Sequence, residues 1–585
     1  MALTSMNDER TPLLSGAKCS AVTTYGGPLS IRGDEEFAPC KIPLVDPSPS
    51  SRNSRNIAGV ISILLLGVFI ANADGSLVLA TSGTISSEFN DLGNAEWLIS
   101  SYTLAMCATQ SLYGKLSDIY GRKSTILASY VFFAVGSVIC GLGWNLPTVV
   151  VGRLVAGVGG AGINCLVSIV IADMVPIREV AKWRSYVNIA ATTGRSLGGP
   201  IGGFLTDTIG WRWSFLGQCP PTILALILVM WKLEISPQQV SDKQTHFSKL
   251  CRIDFLGSIF LSVSIVCGLV VLDLGGHRMP WTDLKFLSLL GVSIAAGILF
   301  FLVEGFWAKE PIFPLRLLRN RDVLTSYINL GFQSGAQISM MMLVPIYFQI
   351  TDHASFTTAG AHLMPSVLGN ALGGLLAGYI IYKTGTYKPI LLLGALSSTT
   401  SYILLLTRWH GHTSFLESLY IIPGGFGNGI ALSATFIGLT AGVEQEELAI
   451  ASSGLFLSAN IGTVVGLTVA GSVMEGGLEK GLRVALEGWE GRERVGGLLS
   501  LVSSCLEIFK DCYAMQMFQL LTQLHTSQII ERALSDIEYV RALDGKLGEL
   551  VTNVYVNCLS NTHAVSVFAA LVALIAACCV RQHRL

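Results

Sequence analysis

The chain has 585 residues, of which 51% are hydrophobic and only 13% charged. A soluble chain carries about a quarter charged residues, so these apolar side chains cannot all share one aqueous core and must face lipid as well. A net charge of −1 excludes the basic footprint of a nucleic-acid binder.

Residues 1–56 are rich in Ser, Pro and charge and contain no apolar run long enough to insert. They are read as a disordered cytosolic tail. A membrane span needs about 20 mostly apolar residues, and fourteen such runs follow. They lie at 57–80, 95–114, 124–143, 148–172, 185–206, 213–232, 254–273, 285–307, 324–349, 357–382, 387–407, 416–440, 448–474 and 562–580. The fold class is thus an all-α membrane protein with 14 transmembrane helices.

Basic residues cluster in alternate loops. Lys115, Arg122 and Lys123 follow span 2; Arg178, Lys182 and Arg184 follow span 4; Lys243, Lys249 and Arg252 follow span 6; Arg316, Arg319 and Arg321 follow span 8. Positive charge stays inside, which puts these loops and both termini in the cytosol.

The spans contain a weak internal repeat of the kind found in transporters. Gly114 to Gly121 is a seven-residue step across the 2–3 loop, and Gly378 to Gly385 repeats it across the 10–11 loop. Spans 4 and 12 are both glycine-rich. The repeat divides the chain into an N-terminal six-helix bundle at 57–232, two extra helices with loops at 233–322, and a C-terminal bundle at 323–585 that includes a long lumenal loop at 475–561.

Three stretches carry chemistry. The 2–3 loop reads Gly114-Lys-Leu-Ser-Asp118-Ile-Tyr-Gly121-Arg122-Lys123. Its glycines allow close packing and a tight turn, while Asp118 can pair with an arginine or sit at a helix N-terminus. Span 5 holds Arg195-Ser-Leu-Gly198-Gly199-Pro200-Ile-Gly-Gly203, a helix-kink motif. Span 1 holds Asn72 and Asp74, and span 4 holds Arg153. An ionisable group inside a span is expensive and marks a function by default. Asp74 can carry a proton, bind a cationic substrate, or pair structurally with Arg153 or Arg195. No phosphate-cradling loop, catalytic constellation or metal spacing is present, so neither an enzyme nor a cofactor or metal site is expected. The cysteines are read as small core residues.

These motifs resemble the 14-span drug:proton antiporter group of the major facilitator superfamily. Asp74-Gly-Ser-Leu-Val-Leu-Ala-Thr, Ile85-Ser-Ser-Glu-Phe, Ala191-Thr-Thr-Gly-Arg195 and Trp211-Arg-Trp-Ser-Phe215 are similar to fungal vacuolar basic amino acid transporters. The resemblance implies a proton-coupled antiporter that moves lysine, arginine and histidine into the vacuole. Related members export drugs at the plasma membrane, and a non-transporting sensor is a third alternative. It also implies that the 2–3 loop locks the two halves together and that Arg153 takes part in proton transfer; as charges inside spans, Asp74 and Arg195 are read with it as the set that couples proton to substrate. In the tail, Glu9-Arg-Thr-Pro-Leu13-Leu14 fits an acidic dileucine signal read by a sorting adaptor, in keeping with a vacuolar membrane address. Residues 498–528 depart from the resemblance and are read as an insertion.

Overall fold

The computed structural model describes residues 54–89, 97–233, 254–274, 283–307, 315–411, 413–487 and 545–583, with a few shorter stretches and single positions between them. The sorting signal at Glu9, Leu13 and Leu14 and the run 498–528 lie outside the described residues.

The regular structure of the described residues is all helical, with no strand among them. The long helices are α1 (Ser54–Glu88), α2 (Trp97–Tyr120), α3 (Arg122–Gly141), α4 (Leu146–Met174), α5 (Ile177–Thr208), α6 (Cys219–Lys232) and α7 (Phe255–Leu274). They continue with α8 (Leu284–Leu302), α9 (Arg321–Thr351), α10 (Met364–Thr384), α11 (Lys388–Arg408), α12 (Ile422–Gly442), α13 (Leu448–Glu487) and α14 (Gly545–Cys579). Among the described residues, eleven helices are long and apolar enough to cross a membrane. The other three, α2, α5 and α9, are just as long but more polar, and each presents buried polar side chains to its neighbours. The set is consistent with the expected fourteen spans, eleven of which are apolar enough by themselves.

Local chemistry sets several helix ends. Asn145 caps α4, accepting from the Thr148 N–H at 2.8 Å, with Pro147 in the first turn. Asn320 caps α9 in the same way through Asp322. Gly121 and Gly385, the second glycines of the two repeat steps, both take positive φ, at 88° and 69°. Only glycine adopts such backbone readily, and each turns the chain into the next helix.

Several boundaries differ from the apolar runs. α5 begins at Ile177 rather than 185, so Lys182 and Arg184 belong to a helix and not to a loop. The stretch read as loop 475–561 is helical at both ends, because α13 runs to Glu487 and α14 starts at Gly545. A helix satisfies its own backbone hydrogen bonds and need not stop where the apolar run does. Here the extensions pack on each other: Leu478, Leu482 and Leu486 share a core with Val551, Tyr555 and Leu559.

Helices α1–α6 pack mainly among themselves, as do α9–α14. The two groups meet where α2 and α4 touch α13, and where α5 touches α10 and α12. Helix α7 lies on the outside of the first seam. Its Ser262 hydroxyl donates to the Ala108 carbonyl of α2 at 2.9 Å, and its Leu269 shares a cluster with Leu104 of α2 and Leu457 of α13. Helix α8 packs against α7.

Candidate functional site

Asp74 and Arg153 form a buried ion pair, each side chain 1% exposed. The pair is held from all sides. Gln218, just before α6, donates to the second Asp74 oxygen at 3.1 Å, Arg153 Nε donates to the Leu98 carbonyl at 2.9 Å, and the guanidinium lies 4.4 Å from the Tyr102 ring centroid. Two charges out of water persist only with such geometry, because desolvation of each costs several kcal/mol. Chemically, this is a carboxylate whose charge is balanced inside the bundle by one arginine. Arg195 takes no part in the cluster.

The end carrying the basic loops is closed by a second arrangement. Arg122, itself buried, donates to Asp118 at 2.5 Å, to Ser117 Oγ at 2.6 Å and to Asp173 of α4 at 2.9 Å. Burial raises the Asp118 carboxyl above its ordinary value, against the opposing pull of Arg122. Lys123 reaches the Met230 carbonyl at 2.7 Å. At the head of the same motif, Gly114 abuts α13. A Cβ there would lie 2.7 Å from the Ala449 carbonyl and 2.5 Å from Ser453 Oγ.

The other seam repeats this contact. A Cβ on Gly378 of α10 would lie 2.8 Å from the Ala181 carbonyl of α5 and would clash with Ser185 Oγ. Ser185 Oγ donates to the Gly374 carbonyl at 2.5 Å. Arg184, 4% exposed, is the residue that sequence reasoning misplaced. It donates to Ser168 of α4 and, at 3.2 Å, to the Leu432 carbonyl of α12, with its guanidinium 4.6 Å from the Phe436 ring and 5.4 Å from the Phe456 ring. It therefore ties the two groups of helices together. Farther out at this end, Arg178 Nε donates to the Leu585 carbonyl at 2.9 Å, and Gln582 accepts from the Tyr387 and Lys388 N–H groups.

Next along the helices comes a tier of amides. Asn188 donates to Asn370 Oδ1 at 2.7 Å, Thr192 to the same oxygen at 3.1 Å, and Asn460 to Gln110 Oε1 at 3.3 Å. Asn72 of α1 donates to Asn164 of α4 at 2.9 Å. Among the described residues, every hydrogen bond between the two groups lies at this tier or toward the basic end. Past it, Arg195 is exposed and makes no hydrogen bond or ion pair with any described residue.

Within the span-5 motif the glycines differ in use. Gly198 is pressed against the Ala73 carbonyl and Ser76 of α1, whereas Gly199 has only a loose neighbour and Gly203 none within 4 Å. Pro200 lies inside α5 without ending it. A separate apolar groove of about 410 Å³, between α9, α13 and α14, is lined by Gly331, Gly335, Gly462, Gly466 and Phe568 and holds none of the candidate residues.

The sequence is 33% identical over 434 residues to the vacuolar membrane amino acid uptake transporter fnx2 of Schizosaccharomyces pombe, covering 74% of each chain. It is 31% identical over 414 residues to the multidrug resistance protein fnx1 of the same organism, covering 70% of this chain and 77% of that one. The fold is similar to that of the proton:xylose symporter XylE, with a TM-score of 0.50 at 18% identity over 70% of this chain and 88% of the other. The family model described as Major Facilitator Superfamily matches residues 64–467, from within α1 to the middle of α13. With two paired seams between helix groups and a match of that extent, the chain belongs to the major facilitator superfamily and is a multi-pass membrane transporter, not an enzyme.

Proposed function

We propose that the protein is a proton-coupled antiporter that moves basic amino acids (lysine, arginine and histidine) from cytosol to vacuole. The observation that carries this reading is the buried Asp74–Arg153 pair. It is a titratable group inside the bundle, held so that gaining a proton must rearrange its partner. Uptake of a cation into an acidic, positive lumen works against the membrane potential, at about 2.3 kcal/mol per charge per 100 mV. Proton exit through a group such as Asp74 supplies that energy, with Arg153 tuning its charge. The amino acid uptake named for the fission yeast relative supports the substrate class and the vacuolar address. In this reading residues 57–232 and 323–585 are the two moving halves, 233–322 is accessory, and the motif at Gly114, Asp118, Gly121, Arg122 and Lys123 locks the cytosolic side.

The test is uptake of labelled lysine into isolated vacuoles with and without a proton uncoupler. Uptake that survives the uncoupler overturns proton coupling. The second reading, a multidrug exporter at the plasma membrane, is favoured by the similarity to fnx1. Replacing Leu13 and Leu14 together by Ala separates the two addresses. If a sorting adaptor reads Glu9, Leu13 and Leu14, the tagged variant moves from vacuolar to plasma membrane, and an unchanged distribution removes the signal from the argument.

A further inference from the structure

We infer that Arg195 anchors the carboxylate of the transported molecule, inside a band of amide side chains halfway along the helices. The inference rests on the amino acid reading above and narrows it to one contact.

The direction of Arg195 follows from the faces of α5. Phe204 lies nine residues on, which at 3.6 residues per turn is about half a turn round the helix. Phe204, Leu197 and Ile201 are exposed and apolar, and form the lipid side. Gly194 and Gly198 face the backbone of α1. Arg184, eleven residues earlier, falls within about 20° of Arg195, and it points across to Leu432 of α12. Arg195 thus projects between the two groups of helices, about 16 Å farther along α5 than Arg184. Its exposure at that position is exposure to the space between them.

The level of Arg195 follows from its neighbour. Gly194 sits against the Phe69 carbonyl and the Ala73 N–H of α1, so Arg195 stands level with Asn72 and its partner Asn164. The Gln110–Asn460 and Asn188–Asn370 bonds form the floor below. Transporters of this architecture hold substrate near the bilayer midplane, between the repeats.

Charge decides the ligand. An arginine within a span persists where it meets water, an acid or an anion. In the middle portions of α1, α2, α4, α5, α9, α10, α12 and α13 the sequence contains a single acid, Asp74, and Asp74 is shut away with Arg153. The fixed charge facing this space is therefore positive. It disfavours an organic cation that lacks an anionic group and suits a carboxylate, which the planar guanidinium binds through two parallel N–H bonds. The surrounding amide oxygens accept from an α-ammonium.

The experiment uses the full-length protein in proteoliposomes under an imposed proton gradient, with Arg195→Gln and Arg195→Lys beside the wild type. Four probes are compared: lysine, the diamine formed when lysine loses its carboxylate, alanine, and tetraphenylphosphonium. The expected result is that lysine is preferred to the diamine, that Arg195→Gln raises KM for lysine about 10- to 100-fold, as loss of a charge-assisted pair implies, and that Arg195→Lys falls between. The preference for lysine over the diamine should be lost in Arg195→Gln, and a thermal unfolding midpoint of the purified variant close to the wild type's shows that it is folded. Lysine uptake unaffected by Arg195→Gln overturns the anchor and leaves the amino acid reading standing. Arg195-dependent uptake of alanine without lysine supports the anchor and overturns the basic amino acid reading. Uptake of tetraphenylphosphonium or the diamine with no preference for a carboxylate, or no uptake of any carboxylate probe, overturns both.

Discussion

Gly378 stands against Ser185 across one seam in the way that Gly114 stands against Ser453 across the other. In each case the glycine belongs to the first position of a repeat step and the serine follows, by four residues, the alanine whose carbonyl it also meets. The basic end is thus closed twice by one device, a helix with no side chain laid on an Ala-x-x-x-Ser ridge.

Gly378→Ala or Gly114→Ala places a methyl where a carbonyl and a hydroxyl already stand. The closed arrangement should become less populated, while the helices themselves, which gain alanine for glycine, remain intact. A cysteine introduced at Ala449 should then react several-fold faster with a membrane-impermeant thiol reagent added from the basic side. An unchanged rate in both variants would mean that the seams yield without cost.

Arg184 has no counterpart in the second ridge, where Ser452 takes its place beside Ser453. Removing its bond across to the Leu432 carbonyl should cost the closed state about 1.5–3 kcal/mol, the range for a hydrogen bond to a charged group. Arg184→Gln should therefore favour opening at the basic end and change transport velocity more than apparent affinity. Labelling of the same Ala449 cysteine gives the direct readout. No change in that variant would reduce Arg184 to a packing residue.

For Asp74, stability and coupling can be separated. Asp74→Asn alone leaves Arg153 buried and uncompensated, a loss of about 3–5 kcal/mol in comparable pairs. Combining Asp74→Asn with Arg153→Gln removes both charges and should restore much of the thermal stability of the purified protein. If Asp74 couples the proton, the double variant should be stable yet show no gradient-driven uptake. A stable double variant with full gradient-driven uptake would make the pair structural.

At the opposite end Glu88 accepts from Trp211 Nε1 and from Arg212, and these bonds hold its carboxyl below the ordinary carboxylate value. A depressed pKa contributes stability that is present above the unfolded value of 4.5 and is lost as pH falls through the lower folded value. The contact should therefore persist between pH 7 and 5. The destabilisation caused by Glu88→Gln should be the same at both pH values. A difference that disappears by pH 5 would contradict the assignment.

Much of this was legible in the sequence, for physical reasons. Apolar runs reported every long helix, even α2, α5 and α9, since each keeps one apolar side. The ends of α1, α5, α13 and α14 were not legible, because hydropathy reports lipid and not the backbone ladder. The pairing of Asp74 with Arg153 was among the readings open from sequence, as charges in spans seek each other. Arg184 was missed because it sits seven residues inside a helix whose start looked like a basic loop, and Asp173 because nothing marks it as a partner for Arg122. The amide tier was invisible for a different reason. Asn188, Asn370, Gln110 and Asn460 are neutral and far apart in the chain, and hydropathy weighs them little. The recurring Ala-x-x-x-Ser at 181–185 and 449–453 was the available signal, had α5 and α13 been aligned.

Helix α7 makes the two seams unequal toward the bilayer. With Ser262 and Leu269 laid over it, no residue of α2 is exposed, whereas Leu197 and Phe204 of α5 and Leu372 and Tyr379 of α10 are bare along the other seam. A molecule dissolved in the hydrocarbon therefore finds the α2 flank shuttered. Of the two flanks, the α5–α10 side presents the more open apolar surface to the hydrocarbon.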